Sequence, residues 1–267
     1  MPKKLIEVAL PLDTINDASA YDKMPGIGAH PKGIHHWWAR LPLPTARAVL
    51  FASLVDDPSE HPDRFPTEEA QDAERERLSG IIRELCQKKM HLKQDVFKKA
   101  HEEILRHCDG KLPTVLDPFA GGGSIPLEAM RPGLPVIASD LNPVAVLINK
   151  AMLEILPEFA NQTPVNPESK RRNVGQEWKN AHGLAEDLRY YGRLINEEAK
   201  RRIGKFYPSV KVNGKELNVI TWLWERTVKC PNPVCGCEMP LVRSFVLSSK
   251  RKPNVFTQPV VERRREL

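Results

Sequence analysis

Leu78, Ile81, Ile82 and Leu85 recur at i, i+3, i+4 and i+7, the spacing of one helix face. Val96, Ala100 and Ile104 form a second stripe in the same charged stretch. The pattern predicts two helices between Glu68 and Cys108, broken near Lys88–Leu92. Another helix is expected from Thr45 to about Val55. Its apolar positions, Ala46, Val49, Leu50, Ala52, Leu54 and Val55, leave little polar face, which predicts burial. Asp56-Asp57-Pro58 ends it. Further on, Leu184, Leu188, Tyr191, Ile195, Ala199 and Ile203 mark an amphipathic helix closed by Gly204.

Two short apolar runs, Val115-Leu116 and Val136-Ile137-Ala138, read as adjacent parallel strands. The helix between them is expected to begin at Ser124, a capping type of residue. Pro126 falls in its first turn, where a missing N–H costs nothing. Asn142 is placed to cap the next helix, with Pro143 at its first position and an end near Leu156. The polar, proline-bearing stretch Pro157–Asn173 reads as loop. Asn213-Gly214 is a hairpin turn signal, and Val219–Trp224 reads as a strand.

Each of the parallel runs leads to an acid, Asp117 or Asp140, and the first breaks into Pro118-Phe119-Ala120-Gly121-Gly122-Gly123. Strand, glycine turn, helix, strand, acid is the layout of a nucleoside-binding α/β unit, with the second acid placed for ribose hydroxyls. A dinucleotide site wants a third glycine where Pro126 stands. A P-loop wants a lysine after the glycines, and none is present. S-adenosylmethionine (AdoMet) has no pyrophosphate and needs neither. Its methyltransferases carry Asp-x-Phe-x-Gly-x-Gly here, and Asp117, Phe119, Gly121 and Gly123 fit that pattern. An acid near the turn also suits a cationic sulfonium. The plainer alternative is an ordinary glycine turn in an α/β core.

Composition narrows the class. At 267 residues the chain has room for one large domain or two small ones. Charged residues make up 28%, mean hydropathy is −0.42, and no apolar run approaches a membrane span, so no membrane partner is expected. Without a signal-type apolar core at its N-terminus, the chain is expected to be cytoplasmic. The net charge of +6 is uneven, because residues 200–267 hold 15 Lys/Arg against 5 Asp/Glu. A basic third suits a phosphate backbone as partner; a solvated basic face is the alternative.

Asp117–Gly123 resembles motif I of DNA amino-methyltransferases, and Ser139-Asp140-Leu141-Asn142-Pro143 resembles the acidic motif that follows it. Lys4–Pro11, His35-His36-Trp37-Trp38-Ala39-Arg40-Leu41-Pro42-Leu43, Ala46–Val49 and Leu223–Pro233 are similar to segments of adenine-specific DNA methylases that contain a zinc ribbon. The resemblance runs in order from about Leu5 to Ser248. It implies an α/β, Rossmann-like AdoMet-dependent methyltransferase fold, N6-adenine methylation, and DNA as partner. It also implies Asp117, Phe119, Gly121, Gly123, Asp140 and Asn142 as the AdoMet-binding residues. Asp117 would lie near the methionine amine and Asp140 on the ribose. The segment of His30 to Arg40 would fold over the methionine moiety, with an arginine or backbone amides on its carboxylate; core packing is the alternative for its tryptophans.

These methylases use a tetrapeptide Asp/Asn/Ser-Pro-Pro-Tyr/Phe to grip and stack the flipped adenine. The chain contains no Pro-Pro pair. In the family the tetrapeptide lies beyond the ribbon, so it is expected after Leu267 and the fold is expected to be incomplete. No catalytic residue is assigned, and the chain alone is expected to be inactive.

Cys230, Cys235 and Cys237 lie in a Pro/Gly-rich turn and are candidate zinc ligands. Tetrahedral zinc needs four ligands, and no Cys or His follows Cys237. The resemblance implies a ribbon whose second pair lies further on. Cys86 and Cys108 are expected in the core. The expected organisation is an N-terminal methylase-associated segment (1–57), a helical insertion (58–111), a partial AdoMet-binding core (112–225), and a partial zinc ribbon with a basic tail (226–267). Two other functions stay open at this stage. One is a zinc-ribbon DNA-binding protein with a vestigial cofactor fold. The other is a methyltransferase acting on RNA or a small molecule.

Overall fold

Helix α2 (Leu43–Leu54) buries three alanines, Ala46, Ala48 and Ala52, and these short side chains let other helices approach closely. It packs against α1 (Leu12–Asp22), α3 (Glu68–Leu85), α4 (Gln94–His107) and α5 (Ser124–Met130). The structure, a computed structural model, describes residues 2–28, 30–172, 177–207, 209–219, 224–248 and 255–257. The chain divides into two units, Met1–Gly192 and Arg193–Leu267.

In the first unit, the core joins Leu5, Ile15, Phe51 and Val55 to Leu78, Ile81, Ile82 and Leu85 of α3 and to Val96, Phe97, Ala100 and Ile104 of α4. Both predicted stripes are therefore the buried faces of their helices. Each such side chain contributes roughly 1.5–3 kcal/mol on burial. The start of α3 is fixed by Thr67, whose hydroxyl accepts the Ala70 N–H at 3.2 Å, and Glu68 and Glu69 complement the positive end of its dipole. Cys86 is buried in this core as expected, and burial pushes its thiol up to about 11. The one charge on α2, Arg47, is also buried. Its Nη1 lies 3.4 Å from Glu128 Oε2 on α5.

Strands β1 (Val115–Asp117) and β2 (Val136–Ala138) pair in parallel, in the register Val115–Val136, Leu116–Ile137 and Asp117–Ala138. Val115 and Val136 pack on the helical core. Leu116 and Ile137 point the other way and are 65% and 58% exposed. Among the described residues, this parallel sheet has two strands. Helix α6 (Pro143–Lys150) follows β2. It continues through a wider π turn, Ala151–Ile155, into α7 (Leu156–Glu158).

The stretch read as loop contains α8 (Pro167–Arg172). Two side-chain contacts account for it. Asn166 Oδ1 accepts the Ser169 N–H at 2.8 Å. Asp187 in α9 (His182–Ile203) accepts both the Asn166 backbone and amide N–H groups at 2.8 Å. Composition alone could not reveal the second, which spans 21 residues. Helix α9 forms where predicted, but Leu188 and Ile195 on its apolar stripe remain mostly exposed.

After the end of α9 and the turn that follows it, the described residues of the second unit form three antiparallel pairs. They are β3 (Val210–Val212) with β4 (Lys215–Leu217), β5 (Thr227–Lys229) with β6 (Glu238–Pro240), and β7 (Val246–Ser248) with β8 (Val255–Phe256). The predicted turn Asn213-Gly214 closes the first, both residues having positive φ (50° and 76°). Most of the predicted strand Val219–Trp224 lies outside the described residues. No described helix is long and apolar enough to cross a membrane.

Candidate cofactor site

Strand β1 stops because Asp117 turns the chain: its Oδ1 accepts the Phe119 N–H at 3.1 Å. The Ala120 N–H then reaches back to the Ser139 carbonyl after β2, at 2.9 Å. Gly121 and Gly123 take positive φ (48° and 76°), which glycine adopts without penalty. Gly123, not Ser124, is the N-cap of α5. Ser124 opens the helix, and its hydroxyl donates to the Leu41 carbonyl at 2.7 Å. This bond ties the segment before α2 to the glycine turn across 83 residues.

Asp140 closes the turn from the other strand. Its Oδ2 accepts the Gly121 N–H and its Oδ1 the Asn142 N–H, both at 2.8 Å. The Asn142 and Gly121 amides hold this half-buried carboxyl below the usual range. Each oxygen keeps lone-pair capacity for a further donor. Asn142 caps α6 as predicted, its Oδ1 accepting the Val144 N–H at 2.9 Å. On α6, Asn149 Nδ2 donates to the Gly121 carbonyl at 3.1 Å and to the Ala145 carbonyl at 2.8 Å. Asn149 was missed from sequence. The available signal was a lone amide near the end of the apolar run Val144-Ala145-Val146-Leu147-Ile148.

A cleft of about 260 Å³ opens at this turn. Asp117, Phe119, Gly121 and Asp140 line it, together with Trp37, Leu41 and Ser124. The Phe119 ring is 86% exposed. Gly123 and Asn142 do not line the cleft. A Cβ on Gly123 would stand 2.6 Å from Met152 Cε and 2.7 Å from Asn149 Oδ1, so this glycine serves the packing of α5 on the α6 segment.

The His30–Arg40 segment divides by residue. Trp38 is 89% exposed, whereas Trp37 Nε1 would lie 2.8 Å from a Cβ on Gly121. His30 Nε2 pairs with Asp22 at 3.0 Å and so anchors the segment to α1. Arg40 lies under Gly122, where a Cβ would meet its Nε at 2.9 Å. Arg40 Nε and Nη1 are buried and have no hydrogen-bond acceptor among the described residues. Its Nη2 approaches the His35 carbonyl at 3.5 Å. Burial lowers the guanidinium's pKa, with Asp22 opposing that shift. Buried donors without acceptors are costly. Arg40 does not line the cleft, so an anionic group at the glycine turn would satisfy these two once the side chain turns outward.

In the second unit the β5–β6 hairpin brackets the cysteines. The Cys230 N–H donates to the Cys237 carbonyl at 2.8 Å and the Cys235 N–H to the Asn232 carbonyl at 3.0 Å. The three sulfurs lie within 4.8 Å of one another. The hydrogen bond with Cys237 lowers the Cys235 thiol, and the same contact raises Cys237. Three thiols so placed can supply three corners of a zinc tetrahedron. Among the described residues, no fourth side-chain ligand joins them.

Two family models match the chain. Residues 98–206 match the D12 class N6 adenine-specific DNA methyltransferases. This methyltransferase match runs from within α4 through the glycine turn to the end of α9 and the turn after it. It includes all six predicted AdoMet residues and excludes Cys230, Cys235 and Cys237. Residues 9–81 match a family described as a protein of unknown function, DUF1156. Trp37 and Arg40, which close on the glycine turn, belong to that second match. No curated protein and no solved structure matches the chain.

Proposed function

We propose that the chain binds AdoMet at the β1–α5 turn and belongs to the machinery of N6-adenine methylation of DNA. The carrying observation is the buried, acceptor-less edge of Arg40 beneath a glycine turn that two carboxylates flank. AdoMet has a carboxylate, an amine and two ribose hydroxyls, and the residues fit each. Arg40, turned toward the cleft from beneath Gly122, would take the carboxylate in charge-assisted hydrogen bonds. Asp117, pinned by the Phe119 N–H, would face the amine. Asp140, held rigid by two backbone amides, would accept from the ribose. Phe119 offers an exposed ring for stacking. When bound, AdoMet supplies an electrophilic methyl group on a sulfonium. The protein's task is to hold the adenine amino nitrogen in line with it.

The sequence has no Pro-Pro-aromatic tetrapeptide to hold a flipped adenine. We therefore assign cofactor binding to these 267 residues and place base-gripping outside them. Cys230, Cys235 and Cys237 would supply part of a zinc site that needs a fourth ligand, and the basic stretch from Lys200 would meet DNA phosphates. Radiolabelled AdoMet with adenine-containing DNA tests the division. The chain is expected to retain AdoMet and leave the DNA unlabelled. Label in N6-methyladenine would overturn it.

A further inference from the structure

The structure assigns a second metal site to the first unit, built from Asp56, His61 and His107 and fitted to a zinc-like divalent cation. Asp56 follows α2, His61 lies in the turn after it, and His107 ends α4. Their ligand atoms all lie within 4.8 Å of one another. His61 Nε2 is 3.1 Å from Asp56 Oδ2, and His107 Nδ1 is 3.6 Å from the same oxygen. Bonds of 2.0–2.1 Å at a tetrahedral centre put neighbouring ligand atoms about 3.3 Å apart. Both measured separations bracket that value.

The surroundings match the requirement as well. A metal-bound histidine gives its other ring N–H to a carboxylate. His107 Nε2 lies 3.3 Å from Glu103 Oε1, and Arg77 grips both oxygens of Glu103 at 3.0 and 2.8 Å. The Asp56 N–H donates to His107 Nδ1 at 3.3 Å, which leaves the proton on Nε2. A cation would take over the Nδ1 lone pair. Lys4 Nζ bonds Asp56 Oδ1 at 2.6 Å, and Oδ2 remains for the metal. Binding through His61 Nε2 would replace its contact with Asp56 and put the ring proton on Nδ1. His61 is the most exposed of the three, so water can complete the coordination from its side. The product would be a staple between the end of α2 and the end of α4, separate from the AdoMet cleft.

The test uses the full chain carrying Cys230→Ser, Cys235→Ser and Cys237→Ser, so that only nitrogen and oxygen ligands remain at issue. Metal-free protein is titrated with Zn²⁺ against a chromophoric chelator and, separately, melted with and without Zn²⁺. About one zinc per chain and a raised Tm are expected, with His61→Ala weakening zinc at least about tenfold. No zinc binding, or equal binding by a folded His61→Ala chain, would overturn the assignment. Should that variant fail to fold, long-range proton–nitrogen spectra of the parent decide. Zinc must shift His61 Nε2 and His107 Nδ1, and unmoved signals would also overturn it.

Discussion

The helical region around α2, α3 and α4 and the β1–turn–β2 region are built on opposite terms. In the helices, Leu5, Val55, Leu78, Ile81, Ile82 and Ile104 are almost wholly removed from water, and apolar burial holds the elements together. In the strand region, the register partners Leu116 and Ile137 are more than half exposed, and so is Phe119. Order there comes from directed bonds to the backbone: Asp117 to Phe119, Asp140 to Gly121 and Asn142, Asn149 to Gly121, Ser124 to Leu41. The first region is scaffold. The second is a surface whose polar groups are fixed in advance while its cleft stays open, which is what a binding site requires.

Substitutions can break this contrast. Phe51→Ala, in the helical core, is expected to cost about 3–5 kcal/mol in urea unfolding. Leu116→Ala, on the exposed sheet face, is expected to cost under about 1 kcal/mol. Similar losses at both positions would mean that the sheet face is covered in solution.

Next in size is the buried pair between α2 and α5. Arg47→Ala leaves Glu128, already pushed up by burial, without its partner on α2. A loss of about 3 kcal/mol is expected by chemical denaturation. A loss below about 1 kcal/mol would show that Arg131, 3.0 Å from Glu128, suffices.

Acid sharpens the comparison further. Burial works to raise the Asp57 carboxyl, but Arg75 and Ser59 hold it down at about 2. Burial likewise opposes His107 and Arg77 at Glu103, which also lies at about 2. Both native values are depressed, so the stabilisation is complete above the unfolded carboxyl range near 4. It is lost as pH falls from there towards 2. For fully buried Asp57 the loss is on the order of 2 kcal/mol. Unfolding curves from pH 6 to pH 2 check this, and Asp57→Asn is expected to flatten them.

Much of this organisation was legible in the sequence where the cause is local. The stripe from Leu78 to Leu85 fixed a helix face, Asn142-Pro143 a helix start, and Asn213-Gly214 a hairpin. The parallel pairing followed from two apolar runs around a glycine turn. Causes that span the chain stayed hidden. The pattern at Ser124 reads as a cap, yet its hydroxyl serves Leu41, 83 residues away. Helix α8 depends on Asp187. The resemblance pointed to the His30–Arg40 segment as a neighbour of the glycine turn, but not to which of its side chains would close on the glycines. Trp37 and Arg40 do so, and Trp38 stays in solvent.

The most direct measurement is calorimetric titration of AdoMet into the folded chain and into Arg40→Ala. One saturable site is expected in the parent. The variant is expected to bind about 10- to 100-fold more weakly, the effect of losing a charge-assisted bond of about 1.5–3 kcal/mol. No binding by the parent, or equal affinity in two folded proteins, would contradict the assignment of the glycine turn and Arg40 as the AdoMet site.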